Sequence, residues 1–328
     1  MNILVTGGAG YIGSATAQAL IRAGHSVTVI DSLIKGHRAA VPDQAKFMQA
    51  GLAEQDIIKS ILTGQPFDAI MHFAAFIEAG ESMQDPGKFF ENNLCNSLRL
   101  IEIAVAAGIK KIVLSSTAGV YASSDEPLKE DHPLGPTSVY GQTKLMVEQG
   151  LEWYRQIFGL HYAALRYFNA AGALPNHGED HQPESHLIPL VLRVALGQRE
   201  SIHIFGSDYP TPDGTCIRDY IHIADLVSAH LLALEALNTS ERLIYNLGNG
   251  TGYSVLEVIE TARQVTGHPI PAVEAPRRAG DAARLVASSD RIRRELGWEP
   301  KIPDLKDIIA SAWEWHRTHP QGYRAQVD

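Results

Sequence analysis

The stretch LVTGGAGYIGSATAQALIRAG, residues 4–24, leaves the chain few options. A short β-branched run ends at Thr6, and Gly7, Gly10 and Gly13 follow at intervals of three before a helical pattern opens. Glycines so placed allow a tight turn, a backbone with no side chains along it, and a helix packed close on the preceding strand. The free N–H groups at the start of that helix suit a pyrophosphate. Asp31 closes the second apolar run, 18 residues after Gly13, where an acid can take ribose hydroxyls. It would also repel a 2′-phosphate, which favours NAD over NADP. A glycine triplet alone reads equally as a flexible turn. With a strand ahead and an acid behind, a dinucleotide site is expected.

The rest of the first half fits such a site. Apolar runs at 2–7, 26–31, 46–50, 68–75, 110–116 and 161–169 alternate with helical patterns near 12–23, 54–63, 87–107 and 141–158. The runs show little polar alternation, as strands buried on both faces do. The fold class expected is α/β: a doubly wound parallel sheet of Rossmann type, with a smaller C-terminal α/β substrate domain. The boundary falls where GALPNHGEDHQPESH (172–186) turns polar, so 1–172 forms the NAD-binding domain, 222–250 returns a strand and helix to it, and 173–328 forms the second domain. A net charge of −9 disfavours nucleic-acid and membrane-surface partners, which call for a basic patch. Two cysteines, Cys95 and Cys216, with no CxxC, no signal-peptide layout and no long apolar run, make the cytoplasm the expected compartment.

SVYGQTK (138–144) puts Tyr140 and Lys144 one helical turn apart. Just upstream, LSSTAGVYA ends the fifth apolar run, and in a doubly wound sheet Ser115, Ser116 and Thr117 would point hydroxyls into the crevice at the carboxyl ends of the strands. A phenol is a poor base at neutral pH. A nearby ammonium and the positive nicotinamide ring would lower its pKa, so the trio suits proton removal from an alcohol while hydride leaves its carbon. On its own the Tyr–Lys spacing is common and reads as a surface pair.

GGAGYIGS, HFAA, SSTAGVY, YGQTK and RYFNAAGA together resemble the extended short-chain dehydrogenase/reductase superfamily. Residues 186–226, with DYPTPDGTCIRDYIH at their heart, and residues 245–255 and 277–298 are similar to UDP-glucose 4-epimerases over essentially the whole chain. The resemblance implies interconversion of UDP-galactose and UDP-glucose through a 4-keto sugar, with NAD retained between turnovers. It implies Tyr140 as base, Thr117 as its hydroxyl partner and Lys144 on the nicotinamide ribose. It implies cofactor contacts at Gly7, Gly10, Tyr11, Ile12, Gly13, Asp31, Phe73, Ala74, Asn92, Ser115 and Tyr167. For the nucleotide sugar it implies Asn169, His186, Leu187, Phe205, Arg218, Tyr220, Arg278 and Asp281, besides Thr117 and Tyr140. It further implies a homodimer through the helices at 87–107 and 141–158.

The chain departs from its relatives at several places. Leu52 stands where many carry an Asp toward adenine, and Phe76-Ile77-Glu78 where some carry a lysine near the phosphates. Leu285 stands where some carry a bulky Tyr thought to exclude N-acetylated sugars, so N-acetylhexosamine turnover is a live reading. Thr117 is followed by Ala118-Gly119, without the Asp-Glu a dehydratase would need. A 4-epimerase of a UDP-pentose or UDP-uronate is the nearer rival. A non-catalytic dinucleotide-binding module is the rival of another class, and retention of both Tyr140 and Lys144 speaks against it. His177, His181 and His186, with Asp180 and Glu184, fit no tetrahedral metal signature and read as a solvated loop. His222 and His230 read as packing residues.

Overall fold

The computed structural model describes residues 1–278 and 281–323. The chain divides into two compact units. One comprises residues 1–122, 133–166 and 227–245, the other residues 123–132, 167–226 and 246–328.

The first unit is built on strands β1 (Asn2–Thr6), β2 (Ser26–Asp31), β3 (Lys46–Gln49), β4 (Ala69–His72), β5 (Lys111–Thr117) and β6 (His161–Tyr167). With the strand Arg242–Leu247 beside β6, the order across the sheet is Arg242–Leu247, β6, β5, β4, β1, β2, β3. The pairings among β1 to β5 are parallel, with Leu4 between Thr28 and Ile70 and Ile112 beside Ile70. Alternate residues therefore face opposite sides. Leu4, Ile30, Ile70 and Ile112 join Ile58 and Ile61 of the Gln55–Gly64 helix, Leu100 and Ala104 of Asn96–Ala106, and Val147 and Leu151 of Val139–Phe158 in one core. Ile3, Val5, Val29, Met71 and Val113 point the other way and are equally buried. Both faces are covered, which is why the runs lack alternation.

The connection runs outward from β1 through β2 to β3, then returns to β4 on the other side. Strand order thus reverses at β1, and the carboxyl ends of β1 and β4 form the switch point at which such sheets take ligands. One expected helix is interrupted. Residues 87–107 form a short helix Pro86–Phe89, a π-helical segment Phe90–Cys95 and the helix Asn96–Ala106. Wider turns of this kind recur at functional sites. Here the segment presents Asn93, whose amide holds both the N–H and the carbonyl of Phe76 at 2.9 Å and fixes the loop beyond β4.

The second unit packs the helices Leu187–Ala195, Val255–Thr266 and Leu305–Thr318 around Val191, Ile259 and Ile308. Small strand pairs complete it. Asn169–Ala171 runs parallel to Tyr220–His222, and Ile202–Phe205 parallel to Ala272–Ala275. Ile217–Arg218 lies between Tyr253–Ser254 and Arg284–Leu285.

Candidate active site

The glycine loop leaves β1 at Gly7, whose φ of +71° places it in the left-handed region. A Cβ there would lie 2.5 Å from the Ala74 nitrogen, and one on Gly13 would lie 2.2 Å from the Gly7 carbonyl oxygen. Glycine is required at both positions by close approach of backbone. The helix Tyr11–Arg22 that follows has Gly10 as its N-cap, with no side-chain acceptor and no acid in its first turn. No acid of its own meets the positive end of this helix, which suits an anion. Asp31, at the end of β2, accepts from the Ala9 N–H at 3.0 Å and the Leu33 N–H at 2.8 Å. Burial pushes its carboxyl upward, opposed by those two bonds. Besides any ribose contact, Asp31 pins the loop itself. These features fit a dinucleotide: a cradle that a Cβ would fill, an uncapped helix start and an acid at the neighbouring strand end.

Phe73 and Ala74 follow β4, both N–H groups on the Thr6 carbonyl. Asn92 lies in the π-helical segment and donates to Asn93. Tyr167 ends β6 and is buried. Glu78 is paired: its carboxylate lies 2.6 Å from the Lys35 ammonium. Burial, the largest single effect, would raise Glu78, but the hydrogen bond from Lys35, that lysine's charge and bonds from the backbone of Glu78 and Ile77 together hold the carboxyl below its usual range. Lys35 was not legible as its partner, because the two are 43 positions apart.

Ser138 caps the helix Val139–Phe158 by accepting from Gly141 N at 3.1 Å. A Cβ on Gly141 would lie 2.2 Å from the Gly119 carbonyl oxygen, so only glycine lets this helix close on the turn after β5. That closure brings Tyr140 to Thr117, whose hydroxyl hydrogen-bonds the phenol. The Tyr140 N–H donates to Ser82, a buried residue that the sequence did not single out. Burial pushes the Tyr140 phenol up to about 12, with the Thr117 bond opposing and Glu78 adding to it. Lys144 lies one turn along the helix; its ammonium is directed onto the Ser115 carbonyl at 2.8 Å, and burial brings it down to about 8.

The three strand-end hydroxyls also separate. Thr117 faces Tyr140, Ser115 offers its carbonyl to Lys144, and Ser116 is buried with its hydroxyl on Glu148. Strand alternation turns Ser116 away from its neighbours. Glu148 in turn grips Arg166 through several hydrogen bonds, the shortest 2.6 Å.

In the second unit, Arg218 sits on Ile217–Arg218 and donates to the Ile217 and Ala282 carbonyls at 2.9 and 2.8 Å. It also reaches Asp281 at 3.3 Å. Arg278 lies 4.0 Å over the Phe205 ring. Arg277, not singled out beforehand, lies 4.1 Å over Tyr209 and pairs with Asp208. Asn169 donates to the Asp219 carbonyl, and Tyr220 is buried with its phenol raised by that burial. Asp219 is an internal tie, accepting from the backbones of Asn249, Gly250 and Ala287. His186 is the N-cap of the helix Leu187–Ala195, which has no side-chain cap and opens at Leu187. The histidine loop is less solvated than expected: Glu179, not included beforehand, is buried beside His181 and His186.

The model of the NAD dependent epimerase/dehydratase family matches residues 3–248. A UDP-glucose 4-epimerase of Halalkalibacterium halodurans is 51% identical over 330 residues, covering 99% of this chain and 98% of the relative. Among solved structures, one of a UDP-glucose 4-epimerase superimposes with a TM-score of 0.95 at 49% identity, covering 99% of this chain and all of that one. Another, from Brucella ovis in complex with NAD, gives 0.92 at 39% identity, with 95% and 97% covered.

Proposed function

The chain belongs to the NAD dependent epimerase/dehydratase family, and within it we propose that this protein is a UDP-glucose 4-epimerase, interconverting UDP-galactose and UDP-glucose. The observation that carries the mechanism is the hydrogen-bonded pair Tyr140–Thr117 at the carboxyl end of β5, with Lys144 one turn behind. NAD, when bound, supplies reversible hydride acceptance and, while oxidised, a positive ring.

Tyr140 takes the proton of the sugar 4-hydroxyl as hydride leaves C4, and gives it back when hydride returns to the opposite face of the keto sugar. Thr117 orients the reacting oxygen through its hydroxyl. Lys144, fixed on the Ser115 carbonyl, is placed to donate to a ribose. Gly7, Gly10 and Gly13 with the start of the Tyr11–Arg22 helix take the pyrophosphate, and Asp31 the adenosine ribose.

Inversion requires a sugar that turns while its nucleotide stays put. Arg218 and Arg278 carry the guanidinium forks for a diphosphate. Asn169, His186, Leu187, Phe205, Tyr220 and Asp281 complete the nucleotide-sugar set in this reading. Leu285 favours a second substrate class, UDP-N-acetylhexosamines, because it leaves room where a tyrosine would fill it.

The same reading takes the protein as a cytoplasmic homodimer. Both cysteines are free, and no described helix is long and apolar enough to cross a membrane. Trp153, Ile157 and Phe158 leave an exposed apolar face on the Val139–Phe158 helix. Sedimentation giving one chain per particle would overturn the dimer. The activity itself is tested by incubating the purified protein with UDP-galactose and no added NAD. UDP-glucose should form without net NADH release, and strict dependence on stoichiometric NAD would refute the proposal.

A further inference from the structure

Residues 179–186 read EDHQPESH, and four of their side chains converge. One ligand atom from each of Glu179, His181, Glu184 and His186 lies within 4.8 Å of the other three. His186 Nδ1 is 2.8 Å from a Glu179 oxygen and 2.9 Å from Glu184 Oε1. His181 Nδ1 is 3.0 Å from the same Glu179 oxygen and 4.0 Å from Glu184 Oε2. Ligand atoms held about 2.0 Å from a tetrahedral ion stand roughly 3.3 Å from one another. The observed separations bracket that value.

Glu184 supplies an independent observation. Its side chain is fully covered. Its Oε1 is occupied, accepting the N–H groups of Ser185 and His186, both at 2.8 Å. Its Oε2 is buried with no hydrogen-bond partner. A histidine–glutamate cluster held only by its own hydrogen bonds has no reason to leave a carboxylate oxygen unpaired, because desolvating an unpaired oxygen is costly. Here that oxygen belongs to a carboxylate held by two backbone N–H groups and lies 4.0 Å from His181 Nδ1. The neighbouring backbone is also fixed: Asp180 accepts from Tyr323 N at 3.1 Å, and Gly178 N donates to the Tyr323 hydroxyl at 3.2 Å.

Two imidazoles and two carboxylates match zinc in donor type and balance its charge, whereas magnesium and calcium prefer all-oxygen sets. We propose that Glu179, His181, Glu184 and His186 together bind one zinc ion. With all four positions filled by protein, the site is structural. It clasps residues 179–186 to the start of the Leu187–Ala195 helix, whose N-cap is one of the ligands.

The test uses the full chain without a histidine tag, dialysed against zinc and then desalted. Elemental analysis should find about one zinc per chain, as a closed four-ligand site requires. The doubly substituted chain His181→Ala, Glu184→Gln should lose it, along with the zinc-dependent part of its melting temperature. Cobalt substitution of the wild-type chain gives a second readout that does not depend on a variant folding. An intense visible absorption of four-coordinate cobalt supports the site. A wild-type chain that retains no zinc and gives no such absorption overturns it, as does a folded double variant that retains as much zinc as the wild type.

Discussion

Glu148 lies one helical turn beyond Lys144 and is the charge that holds that lysine's proton against burial. The carboxylate is itself fixed from two sides, by the Ser116 hydroxyl and by the buried Arg166 guanidinium at 2.6 Å. Arg166 continues to the Tyr121 hydroxyl at 2.9 Å. The charge state of Lys144 therefore rests on a buried ion pair that touches neither substrate nor cofactor in the proposed mechanism.

Glu148→Gln removes that charge at nearly constant shape. It leaves the Arg166 guanidinium buried without the compensating carboxylate charge, which costs about 3–5 kcal/mol. It also lets the Lys144 ammonium fall further below about 8. Urea denaturation should show the loss of stability, and turnover should begin to fall at a lower pH than in the wild type. A loss well under about 1 kcal/mol, the scale of an exposed pair, would show that the pair is not load-carrying.

Tyr140→Phe keeps the ring and removes the oxygen that handles the proton. Turnover should fall about 10²–10⁴-fold, the range of a general base. Stability should change by no more than about 1 kcal/mol, since one hydrogen bond to Thr117 is lost. NAD content should be unchanged. Thr117→Ser should keep most activity and Thr117→Val should not. Comparable turnover in Tyr140→Phe and the wild type would remove Tyr140 from the reaction.

Lys144 also gives the fold a pH dependence of defined sign. Its ordinary value is 10.5 and burial brings it to about 8 in the folded protein. Between those values the unfolded chain binds more protons than the folded one, so stability rises with pH across that window. Below about 8 both states are charged and the full burial penalty is felt. The gain across the window is on the order of 3 kcal/mol from this group. Lys144→Met should remove it, so the variant's advantage over the wild type is greatest near neutral pH and shrinks towards pH 10. Parallel profiles for the two proteins in urea denaturation would contradict the assignment.

Some of this was legible in the sequence, and the reason is local geometry. Gly7, Gly10 and Gly13 announce a backbone conformation and a close approach that no other residue tolerates. Tyr140 and Lys144 share a helical face because they are four apart. The sheet was legible because its strands are apolar on both sides. What escaped depends on partners far away in sequence. Nothing near Glu78 indicates that Lys35 will neutralise it, and nothing in LSST indicates that Ser116 will turn to Glu148. The DYPTPDGTCIRDYIH block reads as a binding motif, yet Asp213 and Asp219 within it are spent on Thr215, Ser254 and the backbone around 249–250 and 287. Glu179 joined the histidine loop only once folding had buried it.

Gly13→Ala tests the glycine loop directly. The added methyl would sit 2.2 Å from the Gly7 carbonyl oxygen, a backbone atom that cannot swing aside. Either the helix Tyr11–Arg22 shifts or the turn opens, and overpacking of this kind costs about 1–3 kcal/mol. NAD content in the purified variant should drop sharply while the second unit keeps its fold. Gly24→Ala, where nothing lies within 4 Å of the added Cβ, is the control for NAD. Its φ of +85° predicts some loss of stability but retention of the cofactor. Equal NAD content in Gly13→Ala and the wild type would place the pyrophosphate elsewhere.

Leu285 offers the sharpest test of substrate range. It lies on Arg284–Leu285, directly opposite Arg218 in a parallel pairing with Ile217–Arg218. Residue 285 is thus the strand neighbour of the arginine proposed to hold the diphosphate, where the proposal has added bulk take volume from the sugar. In the proposed reading, a leucine would leave space for the N-acetyl group of a UDP-N-acetylhexosamine. Leu285→Tyr would fill it with a ring without altering any charged contact. The wild type should convert UDP-N-acetylglucosamine, and the variant should lose that activity about 10–200-fold while UDP-galactose turnover changes little, the scale at which a pocket discriminates by apolar bulk. A wild type inactive on the N-acetylated sugar would restrict the enzyme to hexoses. An equal fall for both substrates would mean that residue 285 shapes the diphosphate site through Arg218 rather than the sugar pocket.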